Sequence, residues 1–139
     1  MNACPLCAAQ DETVLWRDVR CRVILVNEPD YPGFCRVIWN QHVREMTDLP
    51  ESDRARFMNV VFAVESALRE LLHPGKINLA SLGNQAPHLH WHVIPRYPED
   101  AHFPNSIWST RLREAAPHDA PAPHVLSQML NARIAPQPA

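Results

Sequence analysis

The stretch His88-Leu89-His90-Trp91-His92-Val93-Ile94 decides the fold of this chain. Three histidines alternate with apolar residues, and an alternation of period two is typical of a β-strand with one buried face. Along such a strand the histidine side chains lie on one face, about 6.5–7 Å apart, and the apolar side chains lie on the other. The pattern therefore predicts a row of imidazoles, each able to exchange a proton near neutral pH, on a strand anchored by its apolar face.

From the residues alone, this histidine row has several interpretations. It can hold a metal ion, it can carry a nucleophile flanked by helper groups, or it can be a polar strand face that is rich in histidine by chance. An ordinary solvent face more often carries Lys, Thr or Glu, which disfavours the last interpretation. One catalytic metal bound by all three histidines is also disfavoured, because the third ligand is awkwardly placed and no obvious carboxylate completes such a site.

The composition bounds the class of protein. A chain of 139 residues with 46% hydrophobic and 20% charged residues fits one soluble globular domain. The net charge of −2 argues against a nucleic-acid partner, which normally requires a basic patch. No apolar run approaches the roughly 20 residues of a membrane span, and the N-terminus lacks the regions of a signal peptide. We therefore expect a cytoplasmic protein with neither a nucleic acid nor a membrane as partner.

Cys4-Pro5-Leu6-Cys7 is the second chemical motif. In a cytosolic chain, cysteines are more often thiols or metal ligands than disulfides. A C-x-x-C turn can place two thiolates on one metal ion or form a redox pair, and a redox role would fit better with a strand before the motif. One such turn is half of a tetrahedral zinc site, so two further ligands would have to come from elsewhere. The alternative is two incidental cysteines.

The segments around the histidine row predict the rest of the sheet. Apolar, β-branched stretches favour strands, and an apolar stripe at three- and four-residue steps favours a helix. The predicted elements are strands over 13–16, 20–27, 34–39 and 76–82, and a helix from about 48–51 to 72. The turn between the second and third strands contains Pro29, Pro32 and Gly33, which predicts an antiparallel pair. This order of strands and helix indicates an α+β domain with an antiparallel sheet.

The C-terminal third has a weaker pattern. The chain contains 14 prolines against 3 glycines, and many of the prolines lie beyond residue 94. Proline interrupts helices and strands, so this part of the chain is expected to consist of loops and short helices. The two predicted helices cover residues 106–115 and 125–134.

The histidine stretch resembles the H-φ-H-φ-H-φ-φ signature of the histidine triad (HIT) superfamily. The longer run from Gly83 to Arg96 is similar to a bacterial branch of HIT-domain hydrolases, and the resemblance extends over about residues 4–113. It implies a HIT-like α+β fold, with an antiparallel sheet of about five strands, one long helix and short C-terminal helices. The HIT domain with its N-terminal C-x-x-C would span residues 1–115, and a Pro/Ala-rich extension with room for a short helix would span 116–139.

The resemblance implies a nucleotidyl hydrolase or transferase that acts on the α-phosphate of a dinucleoside polyphosphate or a nucleoside phosphoramidate. Its catalytic residues would be the triad His88, His90 and His92. His90 would attack the phosphorus and form a covalent nucleotidyl-histidine, and His92 would stabilise the phosphate oxygens or help the leaving group. The alternative is a non-catalytic HIT module that binds nucleotides or a partner protein, although a pure binder has no need of His90.

Further residues match nucleotide-binding positions of the family. Asn27 matches a ribose-binding position that is often Asp, and Asn78 matches a phosphate-side or ribose-side Asn. Asn84 lies where many relatives have Gln, and Gln85 lies at the leaving-group position where many have Ser or Thr. Leu25 and Ile24 would form walls of the base pocket. The implied ligand is a purine nucleoside phosphate.

The resemblance also implies a metal and an assembly. Some HIT-superfamily proteins hold a structural zinc with a C-x-x-C, a histidine before the long helix and the first triad histidine, which here are Cys4, Cys7, His42 and His88. Two thiolates and two imidazoles form a closed tetrahedral site, which is structural rather than catalytic. The alternative is a mobile N-terminus, with His88 only orienting its neighbours. Family members generally form dimers, so a homodimer is expected.

Overall fold

A computed structural model describes residues 4–136 of the chain. In chain order, its elements are α1 (Pro5–Ala8), β1 (Thr13–Arg17), β2 (Cys21–Leu25), β3 (Cys35–Trp39), a 3₁₀ turn (Met46–Asp48), α2 (Glu51–Leu72), β4 (Lys76–Ala80), β5 (His90–Arg96) and α3 (Pro123–Arg133). The strands form one sheet in the order β1-β2-β3-β5-β4, and every neighbouring pair is antiparallel. This architecture confirms the predicted α+β fold with a sheet of about five strands.

One face of the sheet is covered by helix α2. The apolar stripe of the helix, which includes Phe57, Val64 and Leu68, is fully buried against sheet residues such as Val37 and Val93. Burial of each such side chain stabilises the fold by roughly 1.5–3 kcal/mol. The helix begins with acidic residues and ends at a left-handed residue, as favourable helix termini do. The opposite face is therefore the one left for the histidines.

The C-terminal helix α3 belongs to the same core as the sheet. Leu126, Leu130 and Ile134 are buried together with the residues between the sheet and α2. The helix is entered through Pro123, which suits the first helical turn. Its position agrees with the predicted helix over 125–134. The ends of the predicted domain and extension, residues 1–3 and 137–139, lie outside the described residues.

The structure corrects the start of one predicted strand and the presence of one predicted helix. The histidine strand begins at His90 rather than at His88, because the residues before it follow another course: the Leu89 N–H donates to the Val43 carbonyl at 2.8 Å. The predicted helix over 106–115 is absent, and that segment consists of turns and irregular chain. Its backbone bonds outside the segment instead, because the Leu112 and Arg113 N–H groups donate to the Ala101 carbonyl at 2.8 and 3.3 Å.

Candidate functional site

His90 and His92 lie side by side on β5 and face away from α2. They are 7% and 5% exposed, their ring centroids are 4.8 Å apart, and their planes cross at 84°. The residues that alternate with them, Leu89, Trp91 and Val93, pack toward the core under α2. Two imidazoles are therefore held in fixed, mutually perpendicular orientations on the uncovered face of the sheet.

The orientation of His90 is fixed by the backbone. Its Nδ1 atom lies 2.6 Å from the carbonyl oxygen of His88. A carbonyl only accepts, so Nδ1 carries the hydrogen and Nε2 carries the lone pair. Burial lowers the pKa of His90 and outweighs the opposing hydrogen bond to His88, while the charge of Arg36 lowers it further. At neutral pH, His90 thus presents an uncharged, nucleophilic Nε2.

His92 is surrounded by aromatic rings and by one cation. Phe34 and Trp108 contact its ring in edge-to-face arrangements, at centroid distances of 5.7 and 4.9 Å. The Arg36 Nε–H donates to its Nδ1 at 3.4 Å. Burial, followed by the charges of His90 and Arg36, lowers the pKa of His92 to about 3. The ring is therefore neutral at physiological pH.

A cavity of about 360 Å³ opens in front of these two histidines. Its lining consists of Pro5, Leu6, Arg36, Leu82, Gly83, Asn84, Gln85, Ala86, His90, His92 and Trp108. It thus brings four of the predicted site residues together, namely both histidines and the two amides of the preceding turn. The amides of Asn84 and Gln85 offer hydrogen-bond donors beside the nucleophilic nitrogen.

Three predicted nucleotide-binding residues do not line this cavity. Leu25 packs against the core on the α2 side of the sheet, and Asn27 is exposed beyond the end of β2. Asn78 pairs with Ile94 in the β4–β5 register, and its side-chain oxygen accepts a hydrogen bond from Arg96 at 2.8 Å. Ile24, the other predicted wall residue, lies on the histidine face of β2, where it packs with Leu6 and Ile38.

Among the cavity residues that sequence reasoning missed are the two that contact His92, namely Arg36 and Trp108. The alternation of β3 places Arg36 on one face with Phe34 and Ile38, but only the strand register brings it opposite His92. Trp108 lies in an irregular segment that has no periodicity, and it is 50% exposed at the edge of the cavity. No local signal in the sequence links it to the histidines.

A buried ion pair holds the loop that carries Trp108. Arg96 and Asp100 are both buried, and the Arg96 Nε lies 2.8 Å from the carboxylate. The same carboxylate accepts from the backbone N–H groups of Tyr97, His102 and Phe103. Burial opposes ionisation of Asp100, but these hydrogen bonds outweigh it and lower its pKa to about 2. The loop after β5 is thereby fixed beside the cavity.

Next to the cavity, Cys4, Cys7, His42 and His88 converge. Their four ligand atoms lie within 4.8 Å of one another. His88 Nδ1 is 3.4 Å from each sulfur, and the His42 Nδ1 is 3.3 Å from the Cys7 sulfur and 3.2 Å from His88 Nδ1. Around a tetrahedral zinc, such edges measure about 3.6 Å between S and N and about 3.3 Å between two nitrogens, from the usual bond lengths. The geometry therefore fits a tetrahedral metal ion.

The surroundings of the cluster orient its ligands. His88 Nε2–H donates to the Trp39 carbonyl at 2.5 Å, which leaves the Nδ1 lone pair for a metal. Arg22 donates to the Leu6 carbonyl at 2.7 Å and forms an ion pair with Glu12, which ties the C-x-x-C turn to the sheet.

The other two cysteines, Cys21 and Cys35, are buried, and burial raises the pKa of each thiol to about 12.

The neutral state of His92 predicts how stability depends on pH. The pKa of His92 is lowered from 6.5 to about 3 in the folded chain. Between these two pH values, His92 is mostly protonated in the unfolded chain and mostly neutral in the folded chain. Stability therefore falls as the pH drops from about 6.5 toward 3. We expect His92→Asn to lessen this loss by up to about 1.4 kcal/mol per pH unit.

Urea unfolding between about pH 7 and pH 5 measures this slope. His124→Asn is the matched control, because His124 is exposed in the first turn of α3, and its slope should equal that of the wild type. A His92→Asn protein with the full wild-type slope would show that His92 does not contribute.

Comparisons with known proteins agree with this geometry. The family model of the HIT domain matches residues 8–99. A histidine triad protein from Bradyrhizobium japonicum is 27% identical with a TM-score of 0.72, over 91% of this chain and 93% of the other. A histidine triad protein from Marinobacter aquaeolei is also 27% identical, with a TM-score of 0.70 over 91% and 90% of the two chains. A zinc-bound histidine triad family protein from Mycobacterium smegmatis is 24% identical, with a TM-score of 0.63 over 95% and 93%.

The fold and the paired histidines thus define a class of small α+β proteins with an imidazole site at the uncovered face of the sheet. The chain belongs to the HIT domain family, whose members are generally nucleotide-binding hydrolases or transferases. A search of the curated proteins finds no match to this chain. Within residues 4–136, no helix is both long and apolar enough to cross a membrane.

Proposed function

We propose that this protein is a nucleotidyl hydrolase or transferase that acts on the α-phosphate of a nucleoside phosphate derivative. The observation that supports this most directly is the His90 Nδ1 contact with the His88 carbonyl at 2.6 Å. It directs the basic Nε2 of a neutral, buried imidazole toward an open cavity that is large enough for a phosphate group. A binding module would not need such a prepared nucleophile.

The proposed reaction has two displacements at the α-phosphorus. First, the lone pair of His90 Nε2 forms a bond to phosphorus, and the phosphorus–leaving-group bond breaks with its electron pair on the leaving group. The Nδ1–H of His90 keeps its hydrogen bond to the backbone, so the developing positive charge on the ring is stabilised. Water then attacks phosphorus and the P–N bond breaks, which restores neutral His90. In sum, one water is consumed: its hydroxyl ends on phosphorus in the released nucleoside monophosphate, and its proton balances the one that the leaving group takes up.

His92 and the turn amides would support these steps. A neutral His92 with hydrogen on Nε2 donates to a phosphate oxygen or to the leaving group. The amides of Asn84 and Gln85 can donate to other phosphate oxygens, which lowers the energy of the pentacoordinate transition state. Trp108 offers a half-exposed aromatic face beside the phosphate for the purine or the leaving group.

A substrate panel tests this function. Adenosine and guanosine phosphoramidates and dinucleoside polyphosphates are incubated with the protein, and the nucleoside monophosphate is quantified. We expect wild-type protein and the surface control His124→Asn to release it from at least one compound. Binding of these compounds without any release of monophosphate would favour the alternative, a non-catalytic nucleotide-binding or partner-binding HIT module.

We also propose that Cys4, Cys7, His42 and His88 hold a structural zinc ion. The near-tetrahedral spacing of their ligand atoms supports this, as does the zinc-bound relative from Mycobacterium smegmatis. With four protein ligands the ion would have no open position, so it would stabilise the N-terminal turn rather than take part in the reaction. His88 would then serve as a metal ligand and, through its carbonyl, as the support of His90.

The expected homodimer and cytoplasmic location also remain proposals. On helix α2, Phe57 and Val61 are fully buried in the core of one chain, whereas Phe62 is half-exposed. Phe62 is therefore an apolar residue of α2 that is available to a second copy. Size-exclusion chromatography with light scattering measures the assembly, and a single-chain mass would contradict the dimer.

A further inference from the structure

Arg36 lies in the middle of the histidine face. Its Cα is paired with that of His92 in the β3–β5 register, its side chain is half-buried, and it lines the same cavity as both histidines. Its guanidinium also lies over the Phe34 ring, 5.7 Å from the centroid. The strand register therefore carries a cation into the site.

Two arginines are fully buried in the described part of the chain, and each has a carboxylate partner. Arg22 is paired with Glu12 at 2.7 Å, and Arg96 is paired with Asp100 at 2.8 Å. Arg36 has no carboxylate within 4.0 Å among residues 4–136. A partly desolvated charge without a partner is unfavourable, and an anion that enters the cavity would offset this cost.

Arg36 also determines which nitrogen of His92 carries the hydrogen. Its Nε–H is directed at His92 Nδ1 over 3.4 Å. A guanidinium has no acceptor, so Nδ1 must present its lone pair, and the hydrogen of the neutral ring then lies on Nε2. The two terminal nitrogens of Arg36 have no hydrogen-bond partner among residues 4–136, and their planar arrangement suits phosphate oxygens.

We propose that Arg36 binds a non-bridging oxygen of the substrate phosphate through its terminal nitrogens and, through Nε, holds His92 as the Nε2–H tautomer. The first half rests on the proposed function, because it assigns the phosphate to a nucleotide. The second half concerns the free protein alone. Together they make Arg36 a phosphate-binding residue of the site and the positioning residue of His92.

The phosphate half is tested by comparing adenosine monophosphate with adenosine in calorimetric titrations. We expect Arg36→Met to weaken binding of the monophosphate by about 10-fold or more and to leave adenosine binding unchanged. The monophosphate affinity of Arg36→Lys should lie between those of the wild type and Arg36→Met, since lysine keeps the charge but lacks the planar guanidinium. Arg69→Met, at the exposed C-terminal end of α2, is the matched control. Equal monophosphate binding by Arg36→Met and wild type would overturn this half.

The positioning half is tested by long-range ¹H–¹⁵N NMR of the histidine rings, which identifies the protonated nitrogen of each ring. In wild type, we expect hydrogen on Nε2 of His92 and on Nδ1 of His90. In Arg36→Met, the fixed His92 tautomer should be lost, while the His90 tautomer stays as an internal control, because the His88 carbonyl holds it. Hydrogen on His92 Nδ1 in wild type, or an unchanged tautomer in Arg36→Met, would overturn the positioning role.

These two tests separate the inference from the proposed function. If the wild type binds neither adenosine nor its monophosphate, the nucleotide function and the phosphate-binding role fail together, and the tautomer of His92 still decides the positioning role. If the monophosphate binds equally well to Arg36→Met, the function stands and only the role of Arg36 falls.

Discussion

His90→Asn is expected to lower the rate of monophosphate release by about 10⁴-fold or more, the scale of losing a covalent nucleophile. Asparagine has no lone pair on a basic nitrogen, so the first displacement cannot occur. In the wild type, the His88 carbonyl accepts from Nδ1 of His90. The asparagine amide can donate to the same carbonyl, so this backbone group keeps a hydrogen-bond donor. Single-turnover assays on the best compound of the substrate panel measure the effect.

The fold of this variant and the specificity of the effect are controlled separately. Circular dichroism and thermal unfolding should match the wild type within a few degrees, and His124→Asn should keep full activity because its side chain is exposed on α3. If His90→Asn turned over at a rate near that of the wild type, the nucleophile would be another group and the two-step mechanism would be wrong.

Removal of the proposed zinc is expected to lower the thermal midpoint by about 10 °C or more. The four ligands come from the N-terminal turn, from the segment after β3 and from His88, just before β5. One ion would therefore cross-link segments that are distant in sequence. Binding at about a thousand times its dissociation constant is worth about 4 kcal/mol, and in a domain of this size each kcal/mol shifts the midpoint by a few degrees.

The comparison uses the Cys4→Ser/Cys7→Ser double variant, the wild type with a chelator, and Ala8→Ser as a control on the same short helix. The double variant and the chelated wild type should unfold at similar temperatures, a chelator should not lower the double variant further, and Ala8→Ser should behave as wild type. Elemental analysis of wild type purified without added metal should give close to one zinc per chain. A content below about 0.2 zinc per chain would contradict the structural zinc.

The two sites are connected through His88. Its Nδ1 belongs to the Cys/His cluster, its Nε2–H is bound by the Trp39 carbonyl, and its own carbonyl holds His90. Because all three contacts fix one residue, loss of the metal is expected to loosen the support of the nucleophile as well as the N-terminal turn. The two roles are distinct, however, because no cluster ligand other than His88 touches His90 in these contacts.

Much of the fold was predictable because its elements have strong local signals. The apolar stripe of α2 and the alternation of β5 each bury one face, and that periodicity is visible in the sequence. The start of β5 could not be predicted, because the course of His88 and Leu89 depends on hydrogen bonds with Val43 and Trp39 from a distant segment. The irregular course of 106–115 was not predicted for a similar reason, since the Leu112 and Arg113 N–H groups donate to the Ala101 carbonyl outside the segment.

The residues of the candidate site also fall into two groups: those with a local sequence signal and those that depend on the tertiary structure. The histidines and the amides of the turn before β5 are close in sequence, and the structure brings them into one cavity. Arg36 required the register between β3 and β5, and Trp108 required the position of a loop held by Asp100. The phase of a short apolar strand is ambiguous when both faces are buried, so only the fold separates Leu25, on the α2 side, from Ile24, on the histidine face.

The central claim is that His90 becomes covalently bound to the nucleotide. The most direct measurement is rapid quenching of the reaction, followed by tandem mass spectrometry of the peptide that contains all three histidines. We predict a mass increase of one nucleotidyl group on His90 that is labile to acid, and its absence from His90→Asn. Turnover without any such adduct, or an adduct on His88 or His92 instead, would contradict the account.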